Sequence, residues 1–145
     1  KVAASGEHCI ALTTEGSIYS WGDNSVGQLG IGFTKQDKLN FKPTQVVSFK
    51  RIKMLDCVTG PSHTIFTNES GQLYSCGNAS SGKLGIGVSV LSTSNTYQYM
   101  PRTIQNIPNV KKVSCGVDHT FAIDYSKQLW VWGGGWFGKL GTGRY

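Results

Sequence analysis

Three stretches of this chain lie over one another without a gap. With His8, His63 and His119 in register, the following 24 positions align, and successive copies stand 55 and then 56 residues apart. Trp21-Gly22, Cys76-Gly77 and Trp132-Gly133 fall together, as do Gly27, Gly82 and Gly138, then Gly30, Gly85 and Gly141, then Gly32, Gly87 and Gly143. Between the first two windows 12 of 25 positions are identical, far beyond what chance supplies over a gapless span. A period of this length marks a chain that builds one supersecondary unit repeatedly, and such units bury their apolar faces only against one another. Length varies only within Phe33–Lys42 and Val88–Met100, which are expected to be loops, with Pro43 and Pro101 marking the return to ordered chain. The third copy reaches Tyr145 without a counterpart of that loop or of the strand beyond it.

Each unit reads as short strands. Ile10–Thr13, Ile65–Thr67 and Phe121–Ile123 are equivalent, and a turn at Gly16, Gly71 or Lys127 leads to Ile18–Trp21, Leu73–Cys76 and Leu129–Trp132. Side chains alternate faces along a strand, so Tyr19 with Trp21, and Trp130 with Trp132, share a face and present aromatic surface for burial. Further strands are expected at Thr44–Val47, Lys53–Val58, Thr103–Ile107 and Val110–Ser114. About four strands per period leave the propeller and the β-solenoid, and the shorter coils usual in solenoids favour the propeller. Tight turns recurring at one place per unit account for the 19 glycines among 145 residues. The expected fold is therefore all-β, a partial β-propeller over residues 1–145, with repeats at approximately 1–47, 48–107 and 108–145.

Bulk properties narrow the class. Charged residues are only 15% of the chain, which argues against a disordered tail or a long helical bundle. No run of 18 apolar residues exists, so a membrane span is not expected. The chain opens at Lys1 directly in repeat sequence, which leaves a leader upstream open. Cys9, Cys57, Cys76 and Cys115 form no paired spacing and sit at four different phases of the repeat, so they read as reduced thiols rather than a disulfide framework or a zinc cluster. Asn68-Glu69-Ser70 and Asn78-Ala79-Ser80 match a glycosylation sequon, a pattern that turn-rich chains produce readily. The net charge of +6 favours an acidic partner, with Lys50, Arg51, Lys53, Lys111 and Lys112 as its local clusters.

The pattern His8…Gly16…Trp21-Gly22…Gly27-Gln28-Leu29-Gly30-Ile31-Gly32 resembles the regulator of chromosome condensation repeat. Gly82-Lys83-Leu84-Gly85-Ile86-Gly87 and Gly138-Lys139-Leu140-Gly141-Thr142-Gly143 close the other two copies. Departures are Cys76 in place of Trp, Lys127 in place of the turn glycine, and Ser5 where Gly60 and Gly116 stand. The resemblance implies a seven-bladed ring, of which this chain supplies a little under three blades. It also implies a choice of functions: nucleotide exchange on a small nuclear GTPase, nucleosome binding, ultraviolet-B sensing, or service beside ubiquitin-ligase and trafficking domains. Fold alone does not choose among these.

Several motifs suggest chemistry. Gly77-Asn78-Ala79-Ser80-Ser81-Gly82-Lys83 approaches a phosphate-binding loop, but Leu84 stands where a magnesium-holding hydroxyl belongs and Gly85 would break the helix that should follow. The three histidines recur once per unit, whereas an active site needs one base in one place, so they are expected to satisfy buried backbone groups beside a neighbouring unit. Asp118-His119 and Glu7-His8 are adjacent and are expected to point to opposite faces. The receptor motif for ultraviolet-B places Trp two residues before the histidine, where this chain has Gly6, Pro61 and Val117. No catalytic, cofactor-binding or metal residue is nominated. The expected role is a non-catalytic protein-interaction platform in the cytoplasm or nucleus, meeting a partner with an acidic surface. Exchange on a small GTPase, through rim loops at Phe33–Lys42 and Val88–Met100, and nucleosome binding are the alternatives. Alone, the chain is expected to self-associate through open faces.

Overall fold

A computed structural model describes residues 1–32, 38–87 and 96–144. Within them the chain forms eleven strands and short 3₁₀ turns, with no α-helix. Strands β1 (Val2–Ser5), β2 (His8–Leu12), β3 (Ile18–Asp23) and β4 (Leu39–Gln45) make one antiparallel sheet in chain order. β5 (Met54–Thr59), β6 (His63–Asn68), β7 (Leu73–Asn78) and β8 (Tyr97–Thr103) make the second. β9 (Val110–Cys115), β10 (His119–Asp124) and β11 (Leu129–Gly133) make a third of three strands. This is a partial propeller: β5 packs beside both β1 and β9 where the sheets converge, while β4 and β8 lie on outer edges.

The core lies between the sheets rather than inside them. Ile10 and Ile18 of the first sheet meet Cys57, Phe66 and Cys76 of the second, with Val46, Phe49 and Met54 closing the layer. Phe49 stands edge-on to Phe66 and Tyr74, with ring centroids 5.0 and 5.2 Å away. The preceding residue of β6, Ile65, points the other way and packs with Leu73, Ile104, Val110 and Ala122 against the third sheet. Period-two alternation with both faces buried explains why β6 is almost wholly inaccessible. Tyr19, Trp21, Trp130 and Trp132 are only half-buried, and the deeply buried positions of β3 are Ile18 and Ser20.

The glycine of each Trp-Gly or Cys-Gly pair is demanded by backbone contact. Gly22, Gly77 and Gly133 have φ of 106°, 112° and 105°, and a Cβ on any of them would stand 2.4 Å from the carbonyl oxygen of Glu7, Ser62 or Asp118.

The outer strands differ from expectation. The fourth strand of each complete sheet begins earlier than Thr44 or Thr103, so Leu39–Lys42 and Tyr97–Met100 are strand rather than loop, and Gln105–Ile107 are not strand. Pro43 and Pro101 sit inside these strands. There three residues on β4 (Phe41, Lys42, Pro43) oppose Trp21 alone, and three on β8 (Tyr99, Met100, Pro101) oppose Cys76 alone. A bulge on an outermost strand is where a residue without an N–H costs no ladder bond. The remainder of the two expected rim loops, 33–37 and 88–95, lies outside the described residues.

Candidate functional site

Two of the three histidines, His8 and His63, connect one sheet to the next, through a threonine hydroxyl rather than directly to the backbone groups expected. His8 Nε2 lies 2.9 Å from Thr64 Oγ1 on the second sheet, and Thr64 donates its hydroxyl hydrogen to the Gln28 carbonyl at 2.7 Å, back on the first sheet. One sheet on, His63 Nε2 lies 3.3 Å from Thr120 Oγ1, and Thr120 donates to the Lys83 carbonyl at 3.1 Å. A hydroxyl that spends its hydrogen on a carbonyl accepts from the ring, so both histidines carry their hydrogen on Nε2. Their Nδ1 atoms are buried without a partner.

Burial holds these rings neutral. Desolvation lowers the His8 pKa to about 4 against a smaller opposing pull from Asp23. It lowers His63 to about 3, aided by the nearby Lys83 charge. A ring held neutral by burial and bonded between sheets serves the packing of one sheet on the next. The same two carbonyls take a second donor from the strand carrying the Trp-Gly or Cys-Gly pair: Cys76 Sγ reaches the Gln28 oxygen at 3.5 Å, and Trp132 Nε1 reaches the Lys83 oxygen at 3.0 Å. The structure thus shows why Trp and Cys exchange at this position: each supplies a donor aimed at the preceding sheet. Thr64 and Thr120, not singled out from the sequence, were legible only as a threonine following the histidine in two copies of three.

The turn that approaches a phosphate loop is closed to that chemistry. Ser80–Gly82 is a 3₁₀ turn, Leu84 after it is buried, and Lys83 is 5% exposed with Nζ 3.4 Å from Ser62 Oγ. Burial lowers the Lys83 pKa, opposed by Asp118. In the third copy Lys139 instead pairs with Asp118 at 2.5 Å and holds that carboxyl below its usual range. Asp118 also lies 3.4 Å from His119 Nδ1. They were expected on opposite faces, but Asp118 is in the turn before β10, so strand alternation does not apply to it.

All four cysteines are free thiols, and burial pushes Cys57 up to about 11 and Cys115 up to about 12. No cluster of three metal-ligating side chains occurs among the described residues. No helix among them is long and apolar enough to cross a membrane.

The cationic residues named from the sequence gather at one end of the sheets. Lys50 and Arg51 follow the Val47–Phe49 turn, Lys53 precedes β5, and Lys111 and Lys112 open β9. Close approach of the Gly16 turn to Lys53 and of the Gly71 turn to Val110 puts these starts at the same end. All five are exposed, and among the described residues none has a carboxylate within salt-bridge distance. Exposed Lys127 in the β10–β11 turn extends this edge, whereas Lys1 is paired with Asp56.

Comparison with known proteins agrees with the repeat geometry. The family model described as "Regulator of chromosome condensation (RCC1) repeat" matches residues 15–67 and 70–123, and a second model of the same description matches 1–28 and 110–138. The chain is 33% identical over 145 residues to the ultraviolet-B receptor of Arabidopsis thaliana, covering 99% of this chain and 31% of the receptor. It is 30% identical over 158 residues to a guanine nucleotide exchange factor of Saccharomyces cerevisiae, covering 100% of this chain and 32% of that protein. The crystal structure of Prp20p from Saccharomyces cerevisiae, described with its binding to Gsp1p and histones, superposes with a TM-score of 0.88 at 27% identity, over 100% of this chain and 35% of that one. The chain spans about a third of the length of these relatives. Three in-phase copies of the motif, the antiparallel four-stranded sheets and both family matches place this chain in the regulator of chromosome condensation repeat family.

Proposed function

We propose that the chain is a non-catalytic protein-interaction platform, part of a seven-bladed ring in a larger regulatory protein of the cytoplasm or nucleus, and that it meets acidic surfaces. The carrying observation is the edge formed by Lys50, Arg51, Lys53, Lys111 and Lys112, exposed and without carboxylate partners among the described residues. Unpaired cations on a rigid edge steer acidic partners and lose little on docking, because no internal ion pair has to break. The partners described for Prp20p support a binding role. The test is affinity for nucleosomes, whose surface includes acidic protein and phosphate. Binding should fall at least tenfold between about 0.05 and 0.2 M salt, and the joint change Lys50→Glu, Arg51→Glu, Lys53→Glu should abolish it. Affinity indifferent to both would overturn the reading.

A second reading, nucleotide exchange on a small GTPase, is favoured by the 30% identity to the yeast exchange factor along the whole chain. Release of fluorescent GDP from Gsp1p by the full-length protein decides it. Stimulation by orders of magnitude would displace the platform reading.

A further inference from the structure

Three side chains at the cationic end of the sheets are apolar at positions the repeat keeps open to solvent. Val47, Leu55 and Tyr125 are 61%, 54% and 60% exposed. Backbone bonds identify their counterparts in other repeats. The N–H of Val46 donates to the Ile18 carbonyl as that of Ile104 does to Leu73, so Val47 corresponds to Gln105. Met54 and Val110 donate to Gly16 and Gly71, so Leu55 corresponds to Lys111. Glu69 and Tyr125 donate to Lys53 and Asn109, so these two correspond. Gln105, Lys111 and Glu69 are all polar and all exposed.

Packing of sheet on sheet does not cover these positions. Leu55 and Glu69 belong to the second sheet, which has a neighbour on each side, and Val47 and Gln105 lie in connections between sheets that are both present. Each apolar side chain also has a cation within three residues: Lys50 after Val47, Lys53 before Leu55 and Lys127 after Tyr125. Together with Arg51 and Lys111, these outnumber Glu15 and Glu69 in the neighbouring turns. A single exposed apolar residue is ordinary. Three interleaved with cations at one end of the sheets make a surface with two requirements. A phosphate polymer would satisfy the cations and leave the apolar carbons uncovered. A bilayer takes a continuous apolar face, not anchors parted by charge.

We propose that this end docks a protein segment in which acidic side chains alternate with apolar or aromatic ones. Its carboxylates meet Lys50, Arg51, Lys53, Lys111 and Lys127, and its apolar side chains cover Val47, Leu55 and Tyr125. The proposal rests on the acidic-partner reading above and narrows that partner to one chemical class. Affinity in such an interface comes from the apolar anchors it desolvates, and orientation and on-rate come from the charges around them. A segment with charge alone would be held weakly and released by salt.

The test is fluorescence anisotropy of the full-length protein with two pools of labelled synthetic peptides of one length and one net charge. The first pool mixes Glu with Phe, Tyr and Leu; the second mixes Glu with Ser and Gly. The first should bind about tenfold tighter. Val47→Ser, Leu55→Ser and Tyr125→Ser alter exposed side chains, and circular dichroism confirms the fold of each variant. Each should weaken the first pool about threefold and leave the second unchanged. The joint change Lys50→Glu, Arg51→Glu, Lys53→Glu should abolish binding of both pools. Equal affinity for the two pools, or serine variants that bind the first pool like the unaltered protein, would overturn the proposal and leave the acidic-partner reading standing. Serine variants that lose binding to phosphatidylserine vesicles but not to the first pool would also overturn it, since the anchors then serve a bilayer. Peptide binding indifferent to the triple change would instead strike the charge reading on which the proposal rests.

Discussion

His8 Nε2 and Thr64 Oγ1 stand 2.9 Å apart across the junction of the first two sheets, and Thr64 passes the contact on to the Gln28 carbonyl. Replacing Thr64 with Val keeps the shape and removes both bonds. A ring N–H is then buried unpaired, and the Gln28 oxygen retains only the Cys76 thiol. The expected loss is about 1–3 kcal/mol of unfolding free energy, read from urea midpoints at constant m. His63→Ala should cost a similar amount by stranding Thr120. A His63→Ala protein with unaltered stability and lost nucleosome binding would make that histidine a binding residue.

Acid should weaken the fold in a defined window. Unfolded histidine takes up its proton near pH 6.5, whereas folded His8 waits until about 4 and folded His63 until about 3. Between those limits the unfolded state binds more protons, so stability is full above pH 6.5 and falls as pH drops toward 4. The slope is roughly 1.4 kcal/mol per pH unit for each histidine. Denaturant titrations at pH 7, 6 and 5 check this, and His63→Gln should remove about half the slope. A stability flat across the window would contradict neutral burial.

Gly60 carries the ring of His63 across its α-carbon: an added Cβ would stand 2.3 Å from His63 Cε1. Gly60→Ala should therefore displace the ring and break its contact with Thr120, at a cost of more than about 1 kcal/mol. Ser5 occupies this place in the first sheet, so Ser5→Ala should be close to neutral. Paired thermal melts of the two variants make the comparison.

Phe137 is held at φ 62° with 99% of its surface exposed. Nothing is buried to offset the left-handed backbone. Phe137→Gly should stabilise the chain by about 1 kcal/mol, since glycine adopts this conformation freely. A lower midpoint for the glycine variant would show that the ring makes a stabilising contact in solution.

The sequence by itself determined the unit and its phase. The gapless register of His8, His63 and His119 and the recurring glycines located the turns, because tight turns and close backbone approach admit few residue types and so leave a visible pattern. Strands β2, β3, β6, β7, β10 and β11 followed from alternation between those turns. The outer strands β4 and β8 were expected but placed too late, at Thr44 and Thr103, since an edge strand with a bulge is freed from strict alternation and tolerates Pro43 and Pro101. Recurrence suggested that the histidines face a neighbouring sheet, as His8 and His63 do, but it pointed to backbone partners instead of the threonine hydroxyls.

What they bond was decided only by tertiary structure. Thr64 is 56 residues from His8 and Gln28 is 36 from Thr64, so the relay exists only when consecutive sheets are stacked. Local propensity carries no trace of such a contact. The interchange of Cys76 and Trp132 looked like a lapse in the motif for the same reason: each supplies a donor aimed at a carbonyl of the preceding repeat, and that carbonyl is placed by the packing of one repeat on the next.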